Sequence, residues 1–277
     1  MHPVIEHLNN RKNKSVPVND GRKIALVLFG GMMTGVRGTG ALIALQELGL
    51  IDAFDEIYTI SVGFVNGSYF LAKQVQLGAS LSYEDLCSKK FINFFRFWKL
   101  VDVGYVVRVI KEVKKLDVKT LLTSKTKLFA KLLNVKTKKH EYINIEDFDE
   151  QTYFSILKAA TSIPYLNPGS VKIGDNYYMD SDLSHKELVE HLNYVLNSNA
   201  TDILVVYSHY GQFKTIRKAG IQGSEKFYEI IPDKNEKLSR FCTDPVAMKI
   251  AARMAGLKVK NLFGENTEIN LNYENRN

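Results

Sequence analysis

The apolar residues fall in short blocks separated by polar punctuation, and the blocks alternate between two periods. Ile24 to Phe29 is continuous and apolar, as in a strand buried on both faces of a parallel sheet. A glycine-rich run, Gly30 to Gly40, leads into a helix with Ala41, Ala44, Leu45 and Leu48 on one face and Gly49 at its end. Ile57 to Ile60 is a second strand, and small and apolar residues from Val62 to Gln74 form the helix behind it. Leu128 to Leu133 and His140 to Asn144, joined by a lysine turn, read as a hairpin. A helix over 154–161, a short strand near 171–173, a turn at 174–176 and a run from Tyr177 to Asp182 that ends in carboxylates follow, then apolar strands at 203–207 and 227–231. Thr243-Asp244-Pro245 starts a last helix that the pattern ends at Gly256.

Strands alternating with helices predict a single α/β domain with a central, mostly parallel sheet flanked by helices. Its expected bounds are 23–263, preceded by a polar arm over 1–22 and followed by a frayed polar tail over 264–277. The aromatic stretch from Tyr83 to Val109 (Phe91, Phe94, Phe95, Phe97, Trp98 among Lys89, Lys90, Arg96 and Lys99) reads as a helix with its rings in the core. The alternative is a cap that meets lipid.

With 277 residues, 45% of them hydrophobic and 24% charged, the composition is that of an ordinary globular domain. No run approaches the ~18 apolar residues of a membrane span. The polar start argues against a signal peptide, so the expected location is cytoplasmic or peripheral to a membrane. Charge changes this picture locally. The net charge is +7, yet 111–139 alone holds ten lysines against Glu112 and Asp117, so the remainder is near neutral. Such a strip is a candidate for peripheral contact with an anionic membrane, a solvated face being the simpler reading, and no nucleic-acid partner is expected. Cys87 and Cys242 are far apart and read as free thiols; no histidine pair has metal-ligand spacing, and no metal or cofactor is expected.

The candidate chemistry sits where strands meet helices. Ser61 ends the second strand and opens a helix, so its hydroxyl stands out of the sheet at a helix N-terminus that favours developing negative charge. Gly63 leaves room for the tight turn. The loop of Gly30, Gly31, Met32, Met33, Thr34 and Gly35 presents backbone N–H groups suited to an anion. It lacks the dinucleotide spacing, and the second strand ends in Thr59-Ile60-Ser61 rather than an acid, which counts against a nucleotide-binding oxidoreductase. A serine–acid–histidine triad of Ser61, Asp180 and His209 is open on chain order. His140, His185 and His191 read as surface residues.

Taken together, Gly30 to Gly35, Thr59-Ile60-Ser61-Val62-Gly63 and Asp180-Ser181-Asp182 resemble the patatin-like phospholipase family, with its glycine oxyanion loop, Gly-x-Ser-x-Gly elbow and downstream Asp box. The stretches 40–50, 54–57 and 160–164 share the likeness. The resemblance implies a patatin-like domain and a lipid or lysophospholipid acyl hydrolase. It implies a dyad of Ser61 as nucleophile and Asp180 as base, an oxyanion hole from Gly30, Gly31, Met32, Met33 and Gly35, and elbow support from Thr59 and Gly63. Where the family pattern has other residues, this chain has Met32, Thr34, Thr59, Ser181 and Asp182. Met32 is strained if its position needs positive φ. Arg37 is a candidate replacement for the arginine that Thr34 displaces, and Asp182 would perturb Asp180. These departures keep open a catalytically weakened, lipid-binding relative of the same fold.

Overall fold

The computed structural model describes residues 1–96, 99–146, 148–167, 169–181 and 184–265. Eight strands form one sheet: β1 (Ile24–Leu28), β2 (Glu56–Thr59), β3 (Lys127–Asn134), β4 (His140–Asn144), β5 (Val171–Ile173), β6 (Asn176–Asp180), β7 (Asp202–Val206) and β8 (Phe227–Ile230). β3, β2, β1, β7 and β8 are parallel, and β4, β5 and β6 add an antiparallel flank. The helices are α1 (Pro3–Asn10), α2 (Val36–Glu47), α3 (Val62–Leu71), α4 (Val75–Ser80), α5 (Val103–Arg108), α6 (Val118–Leu122), α7 (Glu150–Thr161), α8 (His185–Leu196), α9 (Tyr210–Lys218) and α10 (Pro245–Leu262).

The central strand β1 is apolar throughout because both its faces are covered. Ile24, Leu26 and Leu28 join a large core with α2, α3, α7 and α10, while Ala25, Val27 and Phe29 join a smaller one with α8 and α9. This is the period of two expected for a strand buried on both sides.

How β3 is shared decides where the site lies. Along one edge β3 pairs with β4 from Phe129↔Asn144 to Leu133↔His140. On its other edge, β2 ends at Thr59↔Ala130 and β6 ends at Asp180↔Leu132, running the opposite way. A strand has two edges, so β2 and β6 occupy one lane and meet end to end. Their last paired residues are about 7 Å apart along β3.

Three expectations are corrected. The arm over 1–22 carries α1, whose Val4, Ile5 and Leu8 are buried, followed by the fully buried Arg11. Arg11 donates to Asp20, to Asp55 and to the carbonyls of Ala53 and Arg22, so charge pairing fastens a segment that composition made look loose. The last helix does not stop at Gly256 but continues to Leu262. Gly256 faces Gly40, where an added Cβ would lie 3.0 Å from the Gly40 carbonyl; it serves close packing of α2 and α10 rather than a cap. The aromatic stretch is no continuous helix: over 86–96 the chain is non-helical, with Phe91 buried and Phe94 and Phe95 exposed. Phe97 and Trp98 lie outside the described residues.

Candidate active site

Ser61 follows β2 and precedes α3 with φ +56 and ψ −131, a conformation that costs a non-glycine residue roughly 1–3 kcal/mol. Tight packing holds it there. A Cβ on Gly63 would lie 2.4 Å from the Leu28 carbonyl oxygen, and one on Gly30 would lie 2.6 Å from the Ser61 Cβ. Only glycine lets the β1 loop and the elbow approach so closely. Thr59 is accommodated because its hydroxyl donates to the Phe129 carbonyl of β3 at 2.7 Å.

Asp180 arrives at the elbow along the lane that β2 vacates. It is fully buried, and its N–H donates to the Ser162 carbonyl at 3.0 Å. Neither carboxyl oxygen completes a hydrogen bond of ordinary geometry among the described residues. Burial therefore pushes the carboxyl well above its usual range, only partly offset by the Ser61 hydroxyl and the Ser181 amide, which favour the charged form. A carboxylate in that state is a stronger base than an exposed one. Asp182 lies outside the described residues, so its expected influence on Asp180 has no structural counterpart here.

The glycine loop turns at Gly31, with φ +153, and enters a 3-10 turn over Met32–Gly35. Met32 sits at φ +53, the strained conformation considered for it, and is buried. The loop amides are not equivalent. Met33 N–H donates to the Arg240 carbonyl at 3.2 Å and Thr34 N–H to the Gly31 carbonyl at 3.2 Å. The N–H groups of Gly31 and Met32 have no such partner among the described residues. Of the five residues proposed for an oxyanion hole, Met33 thus has its amide occupied. The Thr34 hydroxyl folds back onto the Gly31 carbonyl at 2.8 Å.

Two other candidates are placed differently from the sequence reading. Arg37 is buried, its Nε on Glu236 at 2.9 Å and a terminal nitrogen on the Ser208 carbonyl at 2.8 Å. It ties two loops together and is committed to them rather than to a developing oxyanion. His209 lies beside Gly31 and receives a hydrogen bond on Nε2 from Arg240 at 2.8 Å. Burial, then Arg240 and Arg37, lower its pKa to about 4, so it is neutral near pH 7. The triad is not assembled: the Asp180 carboxyl accepts no histidine hydrogen bond. His191, read as a surface residue, is fully buried, with Nδ1 on the Tyr142 hydroxyl at 2.8 Å.

The sequence reading missed the residues that brace the loop. Gln212 Nε2 donates to the Gly30 carbonyl at 2.6 Å while its oxygen accepts from the Ser208 amide at 2.9 Å, and the Ser208 hydroxyl donates to the Phe29 carbonyl at 2.6 Å. The signal lay in topology: whatever follows β7 must stand beside whatever follows β1.

The basic strip is also redistributed. Lys114 pairs with Glu84, Lys127 with Glu146 and the buried Lys131 with Glu187. Lys119, Lys125 and Lys127 lie at or before the start of β3, whereas Lys136, Lys138 and Lys139 lie beyond its end, so the lysines divide between opposite ends of the sheet. Near them His140, Glu187 and Glu190 place ligand atoms within 4.8 Å of one another, a grouping their sequence spacing did not reveal, but the Lys131 ammonium already stands on Glu187 at 2.8 Å. No described helix is long and apolar enough to cross a membrane.

No protein-family model and no curated protein matches the sequence. Solved structures do. VipD from Legionella pneumophila aligns with TM-score 0.54 and 11% identity over 87% of this chain and 66% of its own. The fold is patatin-like. The type III effector protein ExoU aligns over 87% of this chain at 12% identity with TM-score 0.42. The chain spans just under two thirds of the VipD chain and about half of the ExoU chain, 66% and 52%. At 11% identity the likeness to VipD concerns the fold alone.

Proposed function

We propose that the protein is a serine acyl hydrolase acting on lipid or lysophospholipid esters through Ser61 and Asp180. The observation that carries the reading is the meeting of β2 and β6 in one lane, which ends β2 beside a strained serine and β6 at a fully buried carboxyl. The ionised Asp180 takes the Ser61 proton as Oγ attacks the ester carbonyl carbon. The oxygen of the tetrahedral adduct gains negative charge in front of the loop, where the Gly31 and Met32 amides remain to be used. Collapse expels the alcohol, which takes the proton back from Asp180, and leaves an acyl-Ser61. Water, deprotonated by the same carboxylate, then releases the acid. Removing one oxyanion donor typically costs ~3 kcal/mol, so an occupied Met33 amide implies a slower enzyme than a loop with every amide free. That same observation favours a second reading, a lipid-binding relative with weakened catalysis.

Labelling by a fluorophosphonate, together with hydrolysis of a p-nitrophenyl ester and of phospholipid vesicles, separates the two. Labelling and turnover in the wild type and in neither Ser61→Ala nor Asp180→Asn supports the hydrolase. Equal inactivity of all three on both substrates leaves the binding protein.

A further inference from the structure

The loop from Leu86 to Asp102 has an anchored base and a bare tip. At the base Phe91, Ile92 and Val101 are buried, Ile92 bridges to Val101, and Asp102 N–H donates to the Phe91 carbonyl at 2.9 Å. Arg96 reaches back to the Phe91 carbonyl at 2.9 Å, and Asp102 holds Lys99 at 2.8 Å. Beyond this base, Phe94 and Phe95 are 61% and 82% exposed, and Lys89 and Lys90 stand exposed beside them. The stretch 86–101 contains no acidic residue. Two phenylalanines held in water by a bonded loop forgo the burial that would otherwise stabilise them.

The loop's neighbours lead to the candidate site. Val101 N–H donates to the Leu166 carbonyl, on the segment that leaves Ser162 and so adjoins Asp180. Phe94 meets the Phe241 ring edge-on at 5.8 Å, and the preceding residue, Arg240, accepts the Met33 amide of the glycine loop. The loop therefore touches both walls of the site, one beside the carboxylate and one beside the oxyanion loop. Tyr165, whose side chain is entirely in solvent, stands on the first wall.

We infer that this rim, with Phe94 and Phe95 at its tip and Lys89 and Lys90 beside them, is the surface by which the protein docks on an anionic phospholipid bilayer. Aromatics flanked by lysines match an interface in which rings enter the headgroup layer and ammonium groups meet phosphates. The inference rests on the lipid hydrolase reading for the purpose of such docking, since it brings the segments that adjoin Ser61 and Asp180 to the membrane. It sets the contact on this loop rather than on the lysines of 111–139.

The test is flotation of the full chain carrying Ser61→Ala, which binds without consuming the lipid. The vesicles are phosphatidylcholine alone or phosphatidylcholine with phosphatidylglycerol. The parent is expected to float with the anionic vesicles. Phe95→Ala should lower partitioning roughly tenfold, Phe94→Ala with Phe95→Ala further still, and Lys89→Glu with Lys90→Glu should weaken binding most at low salt. In the Ser61 background, Phe95→Ala should hydrolyse a soluble p-nitrophenyl ester like the wild type, showing that the fold and site are intact. The inference is overturned if the parent does not float, if the double phenylalanine variant floats undiminished, or if Lys136→Glu, Lys138→Glu and Lys139→Glu together abolish binding while the phenylalanine variants do not. Vesicle binding by a chain with no esterase activity supports docking and removes the hydrolase reading instead.

Discussion

Arg11 and Asp180 are both fully buried and both ionisable, and the protein treats them in opposite ways. Arg11 is met on every side: Asp20 takes its Nε and one terminal nitrogen at 2.7 and 2.8 Å, Asp55 takes the other at 2.7 Å, and two carbonyls complete the set. Among the described residues, Asp180 has only the Ser61 hydroxyl and the Ser181 amide at its carboxyl, and neither completes a hydrogen bond of ordinary geometry. Taking a charge out of water is costly unless partners replace the solvent. The chain supplies those partners in full where a charge fastens the N-terminal segment and only in part beside the elbow serine. A group left in need of a proton is unfavourable for stability and suited to a base.

The largest break in this comparison should come at the site. Ser61→Ala and Asp180→Asn are each expected to lower ester turnover by about a thousandfold or more, read as kcat with KM little changed. The same Asp180→Asn substitution should raise the melting temperature near neutral pH. The native carboxyl titrates above its unfolded value of about 4, so the unfolded state releases its proton first and wild-type stability falls as pH rises through that interval. The advantage of Asn should vanish below about pH 4 and grow above it. A wild type and variant with parallel stability profiles would show that Asp180 is not starved.

Arg11→Ala comes next. Breaking a satisfied buried cluster typically costs about 3–5 kcal/mol, measured here by urea unfolding, with ester turnover kept in the fraction that remains folded. Its partner gives the opposite pH signature from Asp180. Hydrogen bonding to Arg11 lowers Asp20 to about 2, against the effect of burial, so its contribution is full above the unfolded value and is lost as pH falls from about 4 to 2. The smallest effect is expected from His209→Gln. Because His209 stands by Gly31 and Arg240, turnover should stay within about tenfold of wild type and no limb should move near pH 6.5. A thousandfold loss would restore the triad.

The legible part of the fold was the part written in runs. β1 and most of β7 are apolar because both faces are covered, and the β3–β4 hairpin shows as two blocks around a lysine turn. Ser61 was legible because a strand, a serine and a small-residue helix are contiguous. Asp180 was placed through resemblance to a family, and its burial and incomplete partners were not visible. What stayed hidden depends on distant partners. Nothing in 1–22 announces that Arg11 will meet Asp55, and nothing near Gly30 announces Gln212. The occupied Met33 amide could not be foreseen, since its acceptor lies 207 positions away, at Arg240. The exposure of Phe94 and Phe95 stayed hidden because aromatic content alone does not tell a buried ring from an exposed one.

The lane shared by β2 and β6 has a consequence for how such a chain can vary. The nucleophile and its base are both measured out from one ruler, Ala130 for Thr59 and Leu132 for Asp180. Surface loops between those pairings can change length without shifting either register. A single-residue slip of β6 along that ruler, by contrast, would turn Asp180 to the opposite face of the sheet.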